Sequence, residues 1–350
     1  VTSSGGDITI EADDILVQAD VDASGATSGS DILLKATGNI ETNASRTFRT
    51  NNGDIVFWAD SDASSGGSVV FGDNNIINSG NGSTTSGLSG GGKIVLAGGA
   101  DDGANGGMAG DGIPDGYAQS SSGNGLKLGG STANHTEMYS GGGDVILRGK
   151  STNNSSTADE NIGLNQKGRW TANAGQGAIV IEGVSNHFYG VNFVAPVTNQ
   201  TSGNKHLSFI SDKSVGDAII ISGSSASDHG VVFNYENPKE ILATGGGNIS
   251  ITGQTTNGGY GVFLQNQDIL ATSGMITIDG GKGILVRPEG VRFGQKSSSD
   301  IVTSTSNVEL VADTLVFDTA ISGFESSVDT SGTVTIEPSG NSFSSALTYP

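Results

Sequence analysis

The chain has 350 residues, with 36 acidic and 16 basic side chains, and a formal net charge of −20. This balance disfavours nucleic acid and anionic membranes as partners, and no apolar stretch of about 18 residues suggests membrane insertion. The 57 glycines lack the three-residue period of collagen, and cysteine is absent, so neither a collagen helix nor a disulfide framework is predicted.

An apolar triplet with a small, polar or apolar residue at its centre recurs along the chain, commonly after a glycine. Alternation with a period of two residues is typical of β-strands, and a strand that returns every few tens of residues predicts a solenoid. The clearest triplets are Ile8-Thr9-Ile10, Ile179-Val180-Ile181, Ile219-Ile220-Ile221, Ile249-Ser250-Ile251, Ile276-Thr277-Ile278 and Val334-Thr335-Ile336.

In the second half, two further strand-like segments follow each triplet. Second strands are predicted to begin at Gly190-Val191, Gly230-Val231, Gly261-Val262 and Gly290-Val291, and third strands at 207–210, 241–244, 269–272 and 301–303. The intervals between first strands at 179, 219, 249, 276, 308 and 334 are 40, 30, 27, 32 and 26 residues. The pattern predicts an all-β fold, a parallel β-helix with three short strands per coil of about 26–40 residues. Strand twist and crossover sterics favour right-handed coils.

Equivalent positions of successive coils stack in such a fold, about 4.8 Å apart. We therefore expect Phe193, Phe233, Phe263 and Phe293 to form one internal aromatic ladder. We also expect the glycines that begin the strands to supply left-handed corners.

The first half follows the same rule with looser spacing, and no linker divides the chain. We therefore predict one elongated domain over residues 1–350. The triplets at Ile94 and Val145 are too far apart for a bare coil, so residues 98–140, rich in Gly, Ser and Asn, are predicted to form an insertion. Insertions in solenoids project from one face, often the binding face.

Three strings resemble the coils of filamentous-haemagglutinin-type exoproteins, which are bacterial surface or secreted adhesins built on a right-handed β-helix. They are Asn52-Gly53-Asp54-Ile55-Val56-Phe57, Gly91-Gly92-Lys93-Ile94-Val95-Leu96-Ala97-Gly98 and Ile241-Leu242-Ala243-Thr244-Gly245-Gly246-Gly247. The resemblance implies adhesion or the construction of an extracellular fibre. The family's amino-terminal secretion motifs are not visible in the chain.

The segment from Asp101 to Tyr117 is the most site-like part of the sequence. Its Asp-Gly-Ile-Pro-Asp-Gly string is similar to the calcium-binding repeats of thrombospondin type 3, although the alternating Asp run of those repeats is missing. Calcium takes six to eight oxygen ligands, which closely spaced Asp residues supply in part. The candidate metal ligands are Asp101, Asp102, Asp111 and Asp115, and the alternative is a solvated acidic loop.

No catalytic constellation stands out, so we do not expect an enzyme. The alternative is a polysaccharide lyase or hydrolase, because β-helices host such activities. Asp217 with Arg287 or Arg292 is the candidate groove set. Asp228 and His229 are adjacent in a turn, where we expect their side chains to point apart.

A glycan-binding module without chemistry is a second alternative, for which exposed aromatic residues are the signal. Strand alternation places Trp58 on the outer face if Phe57 lies inside, and the polar neighbours of Trp170 suggest exposure as well. Burial under a loop is the competing interpretation for both.

The preferred hypothesis is a secreted or cell-surface bacterial protein, a rigid acidic rod for adhesion or fibre formation. Its expected partners are copies of itself, stacked head to tail, or glycans and proteins of a cell surface. Neither terminus shows an amphipathic capping helix, which favours a segment of a longer protein or a polymerising subunit. No cofactor is expected beyond the candidate calcium.

Overall fold

A computed structural model describes residues 1–25, 29–64, 66–80, 90–130, 135–155, 161–195, 207–235, 239–287, 290–294, 304–318, 326–340 and 342–343. Successive strands pass from a first parallel sheet to a second, to a third and back to the first. The chain is therefore a parallel β-helix with about three strands per coil, which confirms the predicted fold class. Within the described ranges, no helix is long and apolar enough to cross a membrane.

We number the strands β1 to β32 in chain order. The first sheet contains β1 (Ile8–Ala12), β4 (Ile32–Ala36), β7 (Ile55–Ala59), β10 (Ile94–Gly98), β11 (Ala118–Ser120), β14 (Val145–Ser151), β17 (Ile179–Ser185), β20 (Asp217–Ser225), β23 (Asn248–Thr255), β26 (Ile276–Gly281), β29 (Val308–Ala312) and β32 (Val334–Glu337).

The other two sheets have shorter strands. The second sheet contains β2 (Ile15–Val17), β5 (Ile40–Thr42), β8 (Val69–Phe71), β12 (Leu126–Leu128), β15 (Leu164–Lys167), β18 (Val191–Ala195), β21 (Val231–Tyr235), β24 (Val262–Leu264), β27 (Ile284–Val286) and β30 (Leu315–Phe317). The third sheet contains β3 (Val21–Asp22), β6 (Thr47–Arg49), β9 (Ile76–Asn78), β13 (His135–Tyr139), β16 (Arg169–Asn173), β19 (Leu207–Ser211), β22 (Lys239–Ala243), β25 (Gln267–Ala271), β28 (Arg292–Phe293) and β31 (Ser327–Val328).

The apolar triplets stack in register along the first sheet. Ile179, Ile219, Ile249 and Ile276 pair in turn, and each is fully buried. Full burial of such a side chain contributes about 1.5–3 kcal/mol. Since each coil buries its triplets mainly against its neighbours, this column contributes to cohesion along the helix axis, together with the inward residues of the other two sheets.

The turns before the first sheet repeat a hydrogen bond that links one coil to the next. Asp or Asn precedes the triplet, and its side-chain oxygen accepts a backbone N–H of the next coil. Asp7 Oδ1 accepts from Asp31 N at 3.0 Å and Asp31 Oδ1 from Asp54 N at 2.7 Å. Asn248 Oδ1 does the same for Met275 N at 2.9 Å. The Asp and Asn residues at these turns thus have a structural role, because each side chain supplies a partner for a backbone N–H of the neighbouring coil.

The expectation of left-handed glycine corners is confirmed at some strand entries and wrong at others. Gly290 of the last Gly-Val segment has a φ of 80°, and Gly216 and Gly246, before the first sheet, have φ of 71° and 102°. Gly190, Gly230 and Gly261 have no left-handed φ, and at these three corners glycine is needed for close approach instead. A Cβ added at Gly223 would lie 2.1 Å from Gly230 O, so two chain segments pack backbone against backbone at this corner.

The predicted ladder of four phenylalanines is wrong as a single column. Phe193 and Phe233 stack inside, with ring centroids 4.8 Å apart. Phe263 pairs in register with Val232, on the outer face, and Leu264 takes the inner position beside Phe233. Phe293 lies in β28 of the third sheet. The second strand of that coil is β27, and the predicted third strand at 301–303 lies outside the described residues.

Some segments within residues 98–140 are strands of the β-helix sheets, and the others include one inserted loop. β10 pairs with Val145–Leu147 of β14, and β11 pairs with Gly149–Ser151 of the same strand. The two short strands therefore occupy one rung of the first sheet, with residues 99–117 inserted between them. β12 and β13 return to the second and third sheets.

Candidate functional site

Residues 99–117, which we call the insertion loop, fold over the outer face of the first sheet. Ile113 of the loop packs against Val56 and Val95, which alternate with the inward triplet residues, and against Trp58 and Ala97. These side chains form a second apolar cluster outside the β-helix core. The loop is thus held by its own hydrophobic contact, with a 3₁₀ turn at Ala104–Gly106.

Trp58 anchors the start of the insertion loop. Its indole N–H donates to Gly99 O at 2.8 Å, and Lys35 Nζ lies 4.7 Å from the ring centroid. Alternation correctly predicted that Trp58 faces outward, but the loop buries it. Its exposure as a glycan contact was therefore a wrong expectation, and the competing interpretation of burial under a loop is confirmed.

Arg148 on β14 anchors the middle of the loop. Its Nε donates to Glu182 Oε2 at 2.6 Å, Nη2 donates to Asn105 O at 2.9 Å and Nη1 to Asp115 O at 3.4 Å. Charged hydrogen bonds of this kind contribute about 1.5–3 kcal/mol. Burial, with the charge of Glu182, raises the pKa of Tyr117 at the end of the loop, so its hydroxyl stays protonated.

The four predicted metal ligands all lie in this loop, and each carboxylate accepts backbone N–H groups. Asp101 accepts from Gly110 N at 2.6 Å and from Gly112 N at 2.8 Å, and Asp115 accepts from Gly103 N at 2.6 Å. Asp102 and Asp111 each accept from the residue two positions later in the chain. Asp102 and Asp111 therefore form Asx turns, whereas Asp101 and Asp115 tie together segments of the loop that are nine to twelve residues apart.

Among the residues that the structure describes, no group of three or more Asp, Glu or His side chains is arranged to hold a metal ion. The carboxylates that the sequence associates with calcium are spread over the loop and engaged with its backbone. Calcium binding by this loop stays a prediction from the sequence.

A column of rings lies outside the corner between the first and second sheets. Tyr189 and His229 have centroids 5.8 Å apart and nearly parallel planes, and His229 and Tyr260 are 5.9 Å apart. The backbone N–H of Tyr260 donates to His229 Nδ1 at 2.7 Å. We call these three residues the corner ring column. Its three rings are half-buried and recur at intervals of one coil.

The structure does not bring the predicted catalytic residues together. Arg292 pairs with Asp268 at 2.6 Å, Arg287 pairs with Asp318 at 3.8 Å, and Asp217 accepts from Asn248. Asp228 and His229 are closer than expected, since Asp228 Oδ1 lies 3.6 Å from His229 Nε2. Their turn folds the two side chains toward each other, because a turn does not alternate as a strand does.

Sequence reasoning missed Arg148 and the corner ring column. Arg148 carries no local signal, because its partners are distant in sequence. The corner ring column did have a local signal in the sequence, because Tyr189, His229 and Tyr260 each directly precede the glycine of a Gly-Val segment. Equivalent positions of successive coils stack, so the shared spacing was sufficient to place them together.

The chain is a parallel β-helix with a loop fixed to one outer face. No protein-family model, curated protein or solved structure matches it. The fold is compatible both with adhesins and with carbohydrate-active proteins.

Proposed function

We propose that the chain is an extracellular structural or adhesive protein, in which the acidic β-helix is a rigid rod and the insertion loop is its contact surface. The observation that carries the proposal is the way the loop is mounted. Trp58, Ile113 and Arg148 hold the loop on the first sheet, whereas its residue Met108 is 70% exposed.

A loop held in one conformation loses little entropy when it binds a partner, and this favours affinity. An exposed apolar side chain on such a loop adds buried apolar area when the loop contacts a protein or a cell surface. The resemblance to filamentous-haemagglutinin-type adhesins supports the same proposal. The net charge of −20 keeps a long rod soluble and disfavours anionic membranes.

The proposal is tested by binding of the purified, fluorescently labelled chain to bacterial and animal cells, with Met108→Ser as the variant. Val215→Ser is the matched control, because Val215 is 79% exposed and lies far along the chain. We expect the wild-type chain and the Val215 variant to bind alike and the Met108 variant to bind several-fold more weakly. Equal binding by all three would remove the loop from the proposal, and no binding to any cell would reject adhesion.

The corner ring column favours glycan binding as a second candidate function. Tyr and His edges combine an apolar body with hydrogen-bonding tips, which suits sugar hydroxyls. Calorimetry with soluble polysaccharides distinguishes the two candidates, because Tyr260→Ala should weaken glycan binding and leave loop-dependent cell binding unchanged. If Tyr260→Ala left glycan binding unchanged and weakened cell binding instead, the corner ring column would be rejected as a glycan site.

A further inference from the structure

The outer face of the third sheet carries a row of interacting polar side chains, joined by two hydrogen bonds and one close approach of an imidazole to a carboxylate. His135 Nε2 lies 2.8 Å from Thr171 Oγ1, and His135 Nδ1 lies 3.3 Å from Glu137 Oε1. Tyr139 donates its hydroxyl to Glu137 Oε2 at 2.7 Å. A hydroxyl, an imidazole and a carboxylate thus follow one another in the order of a nucleophile, a base and the group that orients the base.

The β-helix places these groups by register. Glu137 lies opposite Thr171 on neighbouring strands, and His135 lies opposite Arg169. Inward residues between them, such as Met138 and Trp170, are fully buried and lock both strands to the core. The polar side chains therefore stand on a rigid base, which preorganises the site.

The protonation states agree with this geometry. Burial lowers the pKa of His135, and the charge of Arg169 lowers it further, whereas Glu137 raises it. The imidazole is then neutral near pH 7, so Nε2 can accept the Thr171 proton while Nδ1 faces the Glu137 carboxylate. Burial and the hydrogen bond to Glu137 raise the pKa of Tyr139, which keeps that hydroxyl a donor.

We propose that Thr171 is the nucleophile of an acyl-transfer site, with His135 as its base and Glu137 as the positioning residue for His135. The substrate class is a small O-acyl ester carried on an extended polymer. The side chains of His135 and Glu137 are each 26% exposed on an open sheet face, which an acyl group projecting from a chain can reach. This activity goes beyond the adhesive function and does not depend on it.

In the first step Thr171 Oγ1 attacks the ester carbonyl carbon, and its proton passes to His135 Nε2. The bond to the alcohol then breaks, and the alcohol leaves with the proton held by His135. Water attacks the acyl-threonine with His135 again accepting a proton, the acid departs, and Thr171 recovers its hydrogen. Arg169 lies opposite His135 in register, and a cation beside the reacting carbonyl would stabilise the oxyanion.

The test uses the full chain with a fluorophosphonate probe, p-nitrophenyl acetate and an O-acetylated polysaccharide, with mass spectrometry to locate the adducts. We expect labelling and transient acylation at Thr171, ester hydrolysis and acetate release. Thr171→Val should abolish them, and His135→Gln should lower the acylation rate roughly 100-fold or more. Ser208→Ala is the matched control, because Ser208 lies beside Thr171 in register on the same sheet face, and it should leave the rate unchanged.

Glu137→Gln provides a readout that a purely structural role would not change. Removal of the Glu137 charge should shift the pH–rate midpoint to lower pH, with the melting temperature of the variant recorded alongside. Equal labelling of Ser208 and Thr171, or no reaction at Thr171 in a chain with native circular dichroism, would overturn the proposal.

Discussion

Asp31 lies in the middle of a column of carboxylates, between Asp7 and Asp54. Burial raises its pKa, and so do the charges of Asp54 and Asp7, although the N–H that it accepts from Asp54 lowers it. The folded pKa exceeds the unfolded one, so the folded state holds this proton more tightly. The associated stability is present below the ordinary Asp pKa and is lost as pH rises through the folded pKa.

We therefore expect Asp31→Asn to raise the melting temperature at pH 7 and to lose this advantage near pH 3. Asn248 shows that an amide can accept the same backbone N–H at this position of a coil. Thermal denaturation followed by circular dichroism checks the effect. Asp62→Asn, on an exposed turn, is the control and should change little. A variant less stable than wild type at pH 7 would contradict this account.

Trp170 shows where residue-level reasoning from the sequence was wrong. Its polar neighbours suggested exposure, but they occupy alternate positions of β16, so Arg169 and Thr171 face outward and Trp170 is fully buried. Its ring lies 4.6 Å from that of Phe209 and 6.1 Å from that of Phe193. The alternation along this segment, with polar residues on either side of Trp170, was the signal that places Trp170 on the inward face.

Trp170→Ala should destabilise the chain by about 3–5 kcal/mol, because it opens a cavity in the aromatic core. Trp170→Phe should cost less, since a ring remains in place. Urea denaturation followed by circular dichroism measures both. Met108→Ala, at an exposed position of the insertion loop, should stay within about 0.5 kcal/mol of wild type. A similar loss in the two alanine variants would argue against the packing described above.

At the scale of elements, a difference of one residue in the spacing after a corner glycine decides whether a phenylalanine ring faces the core. Phe193 and Phe233 follow their corner glycines by three positions and lie inside, whereas Phe263 follows Gly261 by two and lies outside. A shift of one residue moves a side chain to the opposite sheet face. The inward or outward position of a phenylalanine could be predicted from this spacing in the sequence. The sheet to which Phe293 belongs could not, because it depends on the lengths of the turns around it.

The close backbone approach at the corner of the first and second sheets gives an element-scale prediction. Gly223→Ala should destabilise the chain by about 1–3 kcal/mol, because its Cβ would overlap Gly230 O. Gly5→Ala is the matched control, since a Cβ there meets no atom within 4 Å. Thermal denaturation of both variants measures the difference. A Gly223 variant as stable as the Gly5 variant would show that the corner relaxes without cost.

At the scale of the whole molecule, cohesion is local because each coil contacts mainly its neighbours. The final strand illustrates the consequence, since Val334 and Ile336 of β32 are 46% and 39% exposed. Their counterparts Ile249 and Ile251 in β23 are fully buried. The stability of the β-helix should therefore vary along its axis.

We expect backbone amides of β32 to exchange with deuterium at least tenfold faster than those of β20 and β23. Local opening exposes few buried contacts at β32, and protection follows the free energy of opening. Hydrogen exchange read out by mass spectrometry tests this, with β17 as an internal reference. Uniform protection across all of these strands would indicate global unfolding instead.

The sequence alone determined the coil, because period-2 apolar triplets at intervals of about 30 residues can bury their faces only by stacking. It also predicted an insertion at residues 98–140. The tertiary structure decided which face the insertion loop covers, that Arg148 anchors it, and that His135 meets Thr171, 36 residues further along the chain. Contacts of this kind depend on the register between coils, and register is set by turn lengths and packing rather than by any local pattern.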